Sequence, residues 1–247
     1  MLTAPKGDAA GVPLNAEGTK AAKEWDPAKD ISSGEQCRAF GAGGVMRMPI
    51  RLHVTWQDEK TLKMEIDNGQ QIRLFHFDRD QQPPTQPGWQ GFSVANWETM
   101  GQGQGIAPAP NGNGGNPGAA LAPNAGGPAA GAPGGGGGGG GGRGMGGGAN
   151  ALSGSFKVVT TNMRSGYMRR NGVRYTASAV LTEFFDRTEE PNGDSWLIVT
   201  SSLDDPQYLT MPFMTSTHFK REPDESKFNL RPCEVTMPVD GVHGQGN

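Results

Sequence analysis

The chain has 247 residues, a formal net charge of −3 and an aromatic content of 7%. This mildly acidic balance argues against nucleic acid as the main partner. No stretch approaches the roughly 18 consecutive apolar residues of a membrane-spanning helix, so no transmembrane segment is expected. Met1 to Gly11 lacks the charged-then-apolar pattern of a signal peptide. We therefore expect either a cytoplasmic protein or an exported one whose signal has been replaced by a Met.

Near the start of the chain, the sequence predicts one short helix. Asn15 is a suitable N-cap for a helix over 16–25, and the Asp26-Pro27 pair is expected to end it. We assign this helix to an N-terminal segment, residues 1–36. An irregular, glycine-containing stretch follows it.

Alternation of apolar and polar residues then predicts β-strands. Within 50–56 the alternation is complete, and Asn68-Gly69 is a strong hairpin signal. The predicted strands are 50–56, 62–66, 71–77, 89–98, 155–163, 176–188, 195–203 and 213–222. Eight strands with hairpin spacing and almost no helix predict an all-β fold, a single antiparallel barrel or a sandwich.

A low-complexity tract, 101–150, interrupts the strands. It holds 23 of the 40 glycines, nine of them consecutive from Gly134 to Gly142, and no aromatic residue. Ordering a backbone costs roughly 1–2 kcal/mol per residue, and this tract has few apolar side chains to offset that cost. The sequence therefore predicts a disordered insertion here and a disordered tail at 236–247. Residues 37–100 and 151–235 are expected to form one barrel domain around the insertion.

The two cysteines bracket the predicted strands. Cys37 precedes the first strand and Cys233 follows the last, so a disulfide between them would join the two ends of the domain. Such a bridge would contribute on the order of 5 kcal/mol in the loop-entropy treatment and would indicate an oxidising compartment. Two unrelated free thiols are the alternative.

Several short motifs occur in order along the chain. They are a proline-rich link at 83–85 leading into Gly-x-Ser-Val-x-x-Trp-Glu at 91–98, Thr-Glu-x-Phe at 182–185, Asp204-Asp205-Pro206 with Tyr208 and Pro212-Phe213, and the flanking Asp26-Pro27, Cys37 and Cys233. This order resembles a large group of uncharacterised secreted bacterial proteins. The resemblance covers most of residues 13–235 outside the tract. It implies a lipocalin-like antiparallel barrel in the periplasm or outside the cell, and it implies no particular activity.

Glu183 is the first candidate functional residue. It lies within an apolar strand on the same face as Leu181 and Phe185, so a carboxylate enters the interior if that face is internal. Alternatively, the other face of the strand points inward and Glu183 is solvated. Arg73 and Arg187 are its possible partners.

An arginine-rich hairpin is the second candidate. Asn171-Gly172 suits its turn, and Tyr167 and Tyr175 lie among the arginines. Arginine forks beside aromatic rings bind carboxylates and phosphates, so this hairpin at a barrel rim would attract an anionic ligand. A solvated charged hairpin is the alternative. The arginines concerned are Arg164, Arg169, Arg170 and Arg174.

These features favour a binding protein for a small, anionic and partly apolar molecule. Trp56 and Trp97 are expected to line the interior, with Glu183 and His76 orienting the guest. The histidines show no zinc-ligand spacing, and no nucleophile or phosphate-binding motif occurs, so neither metal nor cofactor is expected. The alternatives are a small-barrel enzyme that uses Glu183 as acid or base, and a structural or interaction protein of the cell envelope.

Overall fold

The computed structural model describes residues 4–98 and 155–235, which form a mostly β structure. The strands are β1 (Leu52–Trp56), β2 (Thr61–Ile66), β3 (Gln71–His76), β4 (Phe92–Trp97), β5 (Phe156–Thr161), β6 (Gly166–Arg169), β7 (Val173–Tyr175), β8 (Val180–Glu189), β9 (Ser195–Asp204) and β10 (Phe213–Lys220). β6 and β7 pair as a separate hairpin, and the others form one sheet in the order β1-β2-β3-β4-β5-β8-β9-β10. The predicted insertion, 101–150, and the predicted tail, 236–247, lie outside the described residues.

All eight predicted strands are present, but their sheet differs from the predicted barrel in two ways. It is curled into half a barrel and is not closed, so β1 and β10 stand at its two edges. It is also mixed rather than antiparallel, because β3 and β4 are parallel, with Phe75 opposite Ser93. The long connection 77–91 carries the chain back to the end of the sheet where β3 began. A short hairpin turn could not do this.

The pairing register divides the side chains of the sheet between two faces. Met64, Phe75 and Phe185 point to one face and are at most 1% exposed. Val45 and Met46 pack against this face in the same core cluster, and we call it the inner face. At one end of the inner face, Leu181, Leu203 and Phe213 join a second cluster that contains residues of the β6–β7 hairpin. We call this the capped end and the opposite end of the inner face the open end.

A layer of short helices covers the capped end. The helices are α1 (Ala16–Lys23), α2 (Pro27–Ser32), a 3₁₀ helix (Gln36–Phe40) and α3 (Ala42–Val45). As predicted, the Asn15 side chain caps α1, accepting a hydrogen bond from the Gly18 N–H at 2.9 Å. The Asp26-Pro27 pair does more than end α1. Asp26 caps α2, and Pro27 occupies its first turn, where a missing N–H costs nothing.

The glycines at 41–44 allow α3 to lie directly against the β6–β7 hairpin. A Cβ at position 43 would be 2.7 Å from the Tyr175 ring, and one at position 44 would be 2.2 Å from the Tyr167 carbonyl oxygen. Both distances are too short for any side chain. The stretch predicted as irregular is therefore a helical segment whose composition follows from close backbone packing.

The predicted disulfide between Cys37 and Cys233 is present, with the two Cα atoms 5.0 Å apart. Residues after β10 cross to the opposite edge of the sheet to reach it. There, the Gly69 N–H donates to the Arg231 carbonyl, and the Arg231 N–H donates to the Asp67 carbonyl, both at 2.8 Å. The bridge thus ties the C-terminal segment to the 3₁₀ helix that precedes the first strand.

Candidate functional site

A buried ion pair lies in the middle of the inner face. The Arg73 guanidinium donates to both carboxylate oxygens of Glu183, at 3.0 Å to Oε1 and 2.5 Å to Oε2. Both side chains have 0% exposure. Glu183 therefore faces inward with Leu181 and Phe185, which is one of the two alternatives that the sequence left open, and its partner is Arg73 rather than Arg187. A bidentate pair of this kind is among the strongest hydrogen-bonded arrangements available to a carboxylate.

Two hydroxyl groups extend the pair across the sheet. Arg73 also approaches Thr160 Oγ1 at 3.4 Å, and Thr160 exchanges a hydrogen bond of 2.8 Å with Ser93. The Arg73 guanidinium also lies 5.0 Å from the centre of the Phe75 ring. This arrangement fixes the Glu183 carboxylate through both of its oxygens. The Arg73 and Glu183 side chains are thus held in fixed positions, and their opposite charges compensate each other.

An aromatic cluster lies at the open end of the inner face. Trp56, Phe77 and Trp97 come from β1, from the residue after β3, and from β4. Phe77 stacks on Trp97 at 5.1 Å between ring centres, and Trp56 lies 5.5 Å from Phe77 and 6.5 Å from Trp97. Phe156 closes the base of the cluster 5.6 Å from Trp97. We call Trp56, Phe77 and Trp97 the aromatic cluster.

Exposure distinguishes the two tryptophans from the ring that lies beneath them. Trp56 is 51% and Trp97 is 42% exposed, whereas Phe156 beneath them is buried. Two indole rings half open to solvent on the same surface form a large exposed apolar area. The sequence predicted both tryptophans on the inner face, and the register places them there, although they cover the core rather than fill it.

His76 does not join the other candidates. It follows Phe75 in β3 and therefore points to the opposite, outer face, away from Glu183. There it is buried and stacks on Phe92 with ring centres 5.2 Å apart. Burial lowers the pKa of His76 below its ordinary value. Because successive residues of a strand alternate faces, the expectation that His76 and Glu183 orient the same guest is wrong.

The arginine hairpin, β6 and β7, lies at the capped end, at the opposite end of the inner face from the aromatic cluster. Its arginines contact other parts of the protein. Arg164 pairs with Glu35 at 2.5 Å and lies 3.9 Å from the centre of the Trp89 ring. Arg169 donates to the carbonyls of Asp8 and Ala10. The structure therefore does not bring these arginines together with the tryptophans.

The other two arginines stack on aromatic rings. Arg170 lies 5.8 Å from the centre of the Phe40 ring, and Arg174 lies 5.7 Å from that of Tyr167. Burial lowers the pKa of Arg170. The Arg170–Phe40 contact ties the hairpin to the helical layer through cation–π attraction, whereas the Arg174–Tyr167 contact lies within the hairpin.

A polar cluster around Asp30 was missed in the sequence. This buried carboxylate accepts hydrogen bonds from Tyr167 Oη at 2.6 Å, Trp25 Nε1 at 3.1 Å and Arg38 at 3.0 Å. Burial, followed by the hydrogen bond to Asp30, raises the pKa of Tyr167 to about 12. Trp25 and Arg38 lie near Asp30 in the sequence, but Tyr167 is 137 residues away and no motif links it to Asp30, so only the fold reveals the cluster. It fastens α2 to the β6–β7 hairpin.

Two classes of site are absent from the described part of the chain. Across residues 4–98 and 155–235, no three His, Cys, Asp or Glu side chains lie close enough together to hold a metal ion. Over the same ranges, no helix is both long and apolar enough to cross a membrane. Comparison with protein-family models, with curated proteins and with solved structures finds no match.

Proposed function

We propose that this chain is a secreted or periplasmic binding protein for a small, partly apolar molecule, which it holds against the aromatic cluster. The observation that carries the proposal is the half-exposed pair Trp56 and Trp97 at the open end of the inner face. Covering apolar surface releases about 25 cal/mol per Å², so a guest lying across both indoles gains affinity from the area it removes from water.

The ligand is expected to be recognised by its apolar part. The sequence suggested an anionic molecule because arginines were expected at the rim, but those arginines lie at the capped end in contacts with Glu35, backbone carbonyls and aromatic rings. A carboxylate-bearing guest at the open end would have to find its positive partner elsewhere. We therefore retain the partly apolar character of the ligand as the core of the proposal.

Two further parts of the proposal concern the type of fold and the compartment. A half-barrel that packs a core at one end and exposes aromatic rings at the other is compatible with the lipocalin-like class suggested by the sequence motifs. The Cys37–Cys233 disulfide supports export, because such bridges persist in oxidising compartments. Catalysis by Glu183 ranks below binding, since both oxygens of its buried carboxylate are held by Arg73.

A fluorescent probe tests the site. Anilinonaphthalene sulfonate, which is apolar and anionic, should bind the folded protein and quench tryptophan emission. Trp56→Ala and Trp97→Ala should each weaken probe binding about tenfold, because each removes an aromatic contact worth roughly 0.5–1.5 kcal/mol together with the apolar area that the indole buries against the probe. Trp196→Ala is the matched control, since Trp196 is partly exposed but lies on the outer face beside Lys220.

Equal weakening in the control and in the two test variants would remove the aromatic cluster from the proposal. Thermal unfolding of each variant separates lost binding from lost folding. Native mass spectrometry of protein purified from its own host would then identify a bound molecule. Its mass should be absent from Trp56→Ala and Trp97→Ala proteins prepared in the same way.

A further inference from the structure

β10 forms one edge of the eight-stranded sheet and, in the described part of the chain, is paired only with β9. Lys220 pairs with Asp194, the residue before β9, at 2.7 Å, and Ser216 contacts His218 at 3.4 Å, whereas Phe213 packs on the inner face with Arg47 5.1 Å from its ring centre. Met214 is 52% exposed. An eight-residue strand with this exposure presents a full row of backbone donors and acceptors.

The register identifies which groups point outward. The Arg221 N–H donates to the Ser195 carbonyl at 2.8 Å, continuing the register in which Lys220 lies opposite Trp196. In an antiparallel pair, residues with backbone bonds to the neighbouring strand alternate with residues that point away from it. The backbone N–H of Arg221 bonds to β9. The residues whose backbone N–H and C=O groups point to the unpaired edge are therefore Met214, Ser216, His218 and Lys220.

The usual devices that block a sheet edge are missing from the middle of β10. The strand has no proline and no inward-facing charge, and its pairing with β9 shows no register shift. The opposite edge is different. His53 of β1 contacts the C-terminal segment, with Nε2 3.2 Å from Glu225 and its ring centre 5.9 Å from that of Phe228. The C-terminal segment therefore lies beside β1 at His53, next to that edge of the sheet.

We propose that β10 pairs with β10 of a second copy of this chain, antiparallel and centred on Thr217. In this register each of the four residues whose backbone groups point to the edge lies opposite another such residue of the second copy. Each of the four pairs exchanges two backbone hydrogen bonds, which gives about eight hydrogen bonds between the copies. It also keeps the inner faces of the two sheets on the same side. Met214 lies opposite Lys220 of the other copy, and Ser216 lies opposite His218. The two Lys220 residues stand at opposite ends of the pair, so no like charges oppose each other.

Sedimentation velocity of the full chain, from about 1 to 500 µM, should show a concentration-dependent monomer–dimer equilibrium. Ser216→Pro should raise the dimer dissociation constant at least about tenfold, because it removes one outward N–H from each copy and spares the bonds to β9. Val54→Pro is the matched control. The Gln57 N–H donates to the Thr61 carbonyl, and bonded residues alternate along β1. The backbone N–H of Val54 therefore points away from β2, to the unpaired edge formed by β1.

A second pair of variants tests the register itself and does not depend on proline. Met214→Lys places a lysine opposite Lys220 of the other copy at two positions, whereas Met214→Glu places an opposite charge there. The first should weaken the dimer several-fold, the second should strengthen it, and added salt should reduce both effects. Met214 is exposed on the outer face, so neither change disturbs the core.

A chain that stays monomeric throughout the concentration range would overturn the proposal. The same holds if Val54→Pro weakens the dimer as much as Ser216→Pro, or if both Met214 variants behave alike. Hydrogen exchange identifies the occupant of the edge. Protection of the Ser216 and His218 amides should rise with protein concentration. Protection that is independent of concentration would assign the edge to another segment of the same chain and refute pairing between copies.

Discussion

Removing the carboxylate from the buried ion pair should destabilise the fold far more than removing one from a surface pair. Glu183→Leu leaves the Arg73 guanidinium buried without its bidentate partner, and both side chains have 0% exposure in the native protein. Breaking a buried pair in this way costs about 3–5 kcal/mol, a large part of a typical total stability of about 5–15 kcal/mol. The midpoint of urea unfolding should therefore fall by about one fifth or more.

The double variant Arg73→Met plus Glu183→Leu provides the decisive comparison. It removes both charges and replaces them with apolar side chains next to Phe75 and Phe185, so it should recover most of the lost stability. Glu189→Ala is the surface control. Its pair with Arg187 spans 2.5 Å, but the side chains are 68% and 54% exposed, so less than about 1 kcal/mol is expected. The reasoning is refuted if the double variant loses as much free energy of unfolding as Arg73→Met and Glu183→Leu lose in total.

Two further predictions concern the disulfide and His76. Cys37→Ala with Cys233→Ala should lower the free energy of unfolding by about 2–5 kcal/mol, because the bridge closes a loop of 196 residues in the unfolded chain. A loss below about 1 kcal/mol in denaturant titrations would contradict this. Burial lowers the pKa of His76 from 6.5, so the folded state binds this proton less readily than the unfolded state. Its contribution to stability is complete above about pH 6.5 and is lost as the pH falls towards the folded-state pKa. Unfolding from pH 7.5 to 5 should therefore show less pH dependence in His76→Phe than in the parent protein, and identical slopes would exclude His76 as the cause.

The strands could be predicted because each carries its own alternation. In β8, Leu181, Glu183 and Phe185 share one face, as the alternation indicated, but only the structure shows that this face is the inner one. Pairing direction leaves no comparable trace, because a strand alternates identically beside a parallel or an antiparallel neighbour. The parallel β3–β4 pair and the open edges therefore had to come from the structure.

The helical layer and its polar cluster show a second limit. Glycine is a poor helix former, so the residues of α3 give no helical signal, yet the space left beside Tyr175 admits only glycine at position 43. Asp30 likewise contacts Tyr167, a residue distant in sequence. Interactions of this kind depend on where the chain folds back. The two tryptophans were correctly assigned to the inner face. Alternation could not show that they lie at the open end of that face, where they are half exposed.

The place where the low-complexity tract enters the sheet has an evolutionary consequence. Trp97 and Phe156 are register partners on neighbouring strands, so the chain leaves β4 and enters β5 at adjacent points. Any number of residues can join two adjacent points, and doubling a loop costs only about 0.6 kcal/mol. Insertions or deletions within a run such as Gly134 to Gly142 should therefore have little effect on the stability of the sheet. Related chains should differ most in length at this junction and least between β8 and β10.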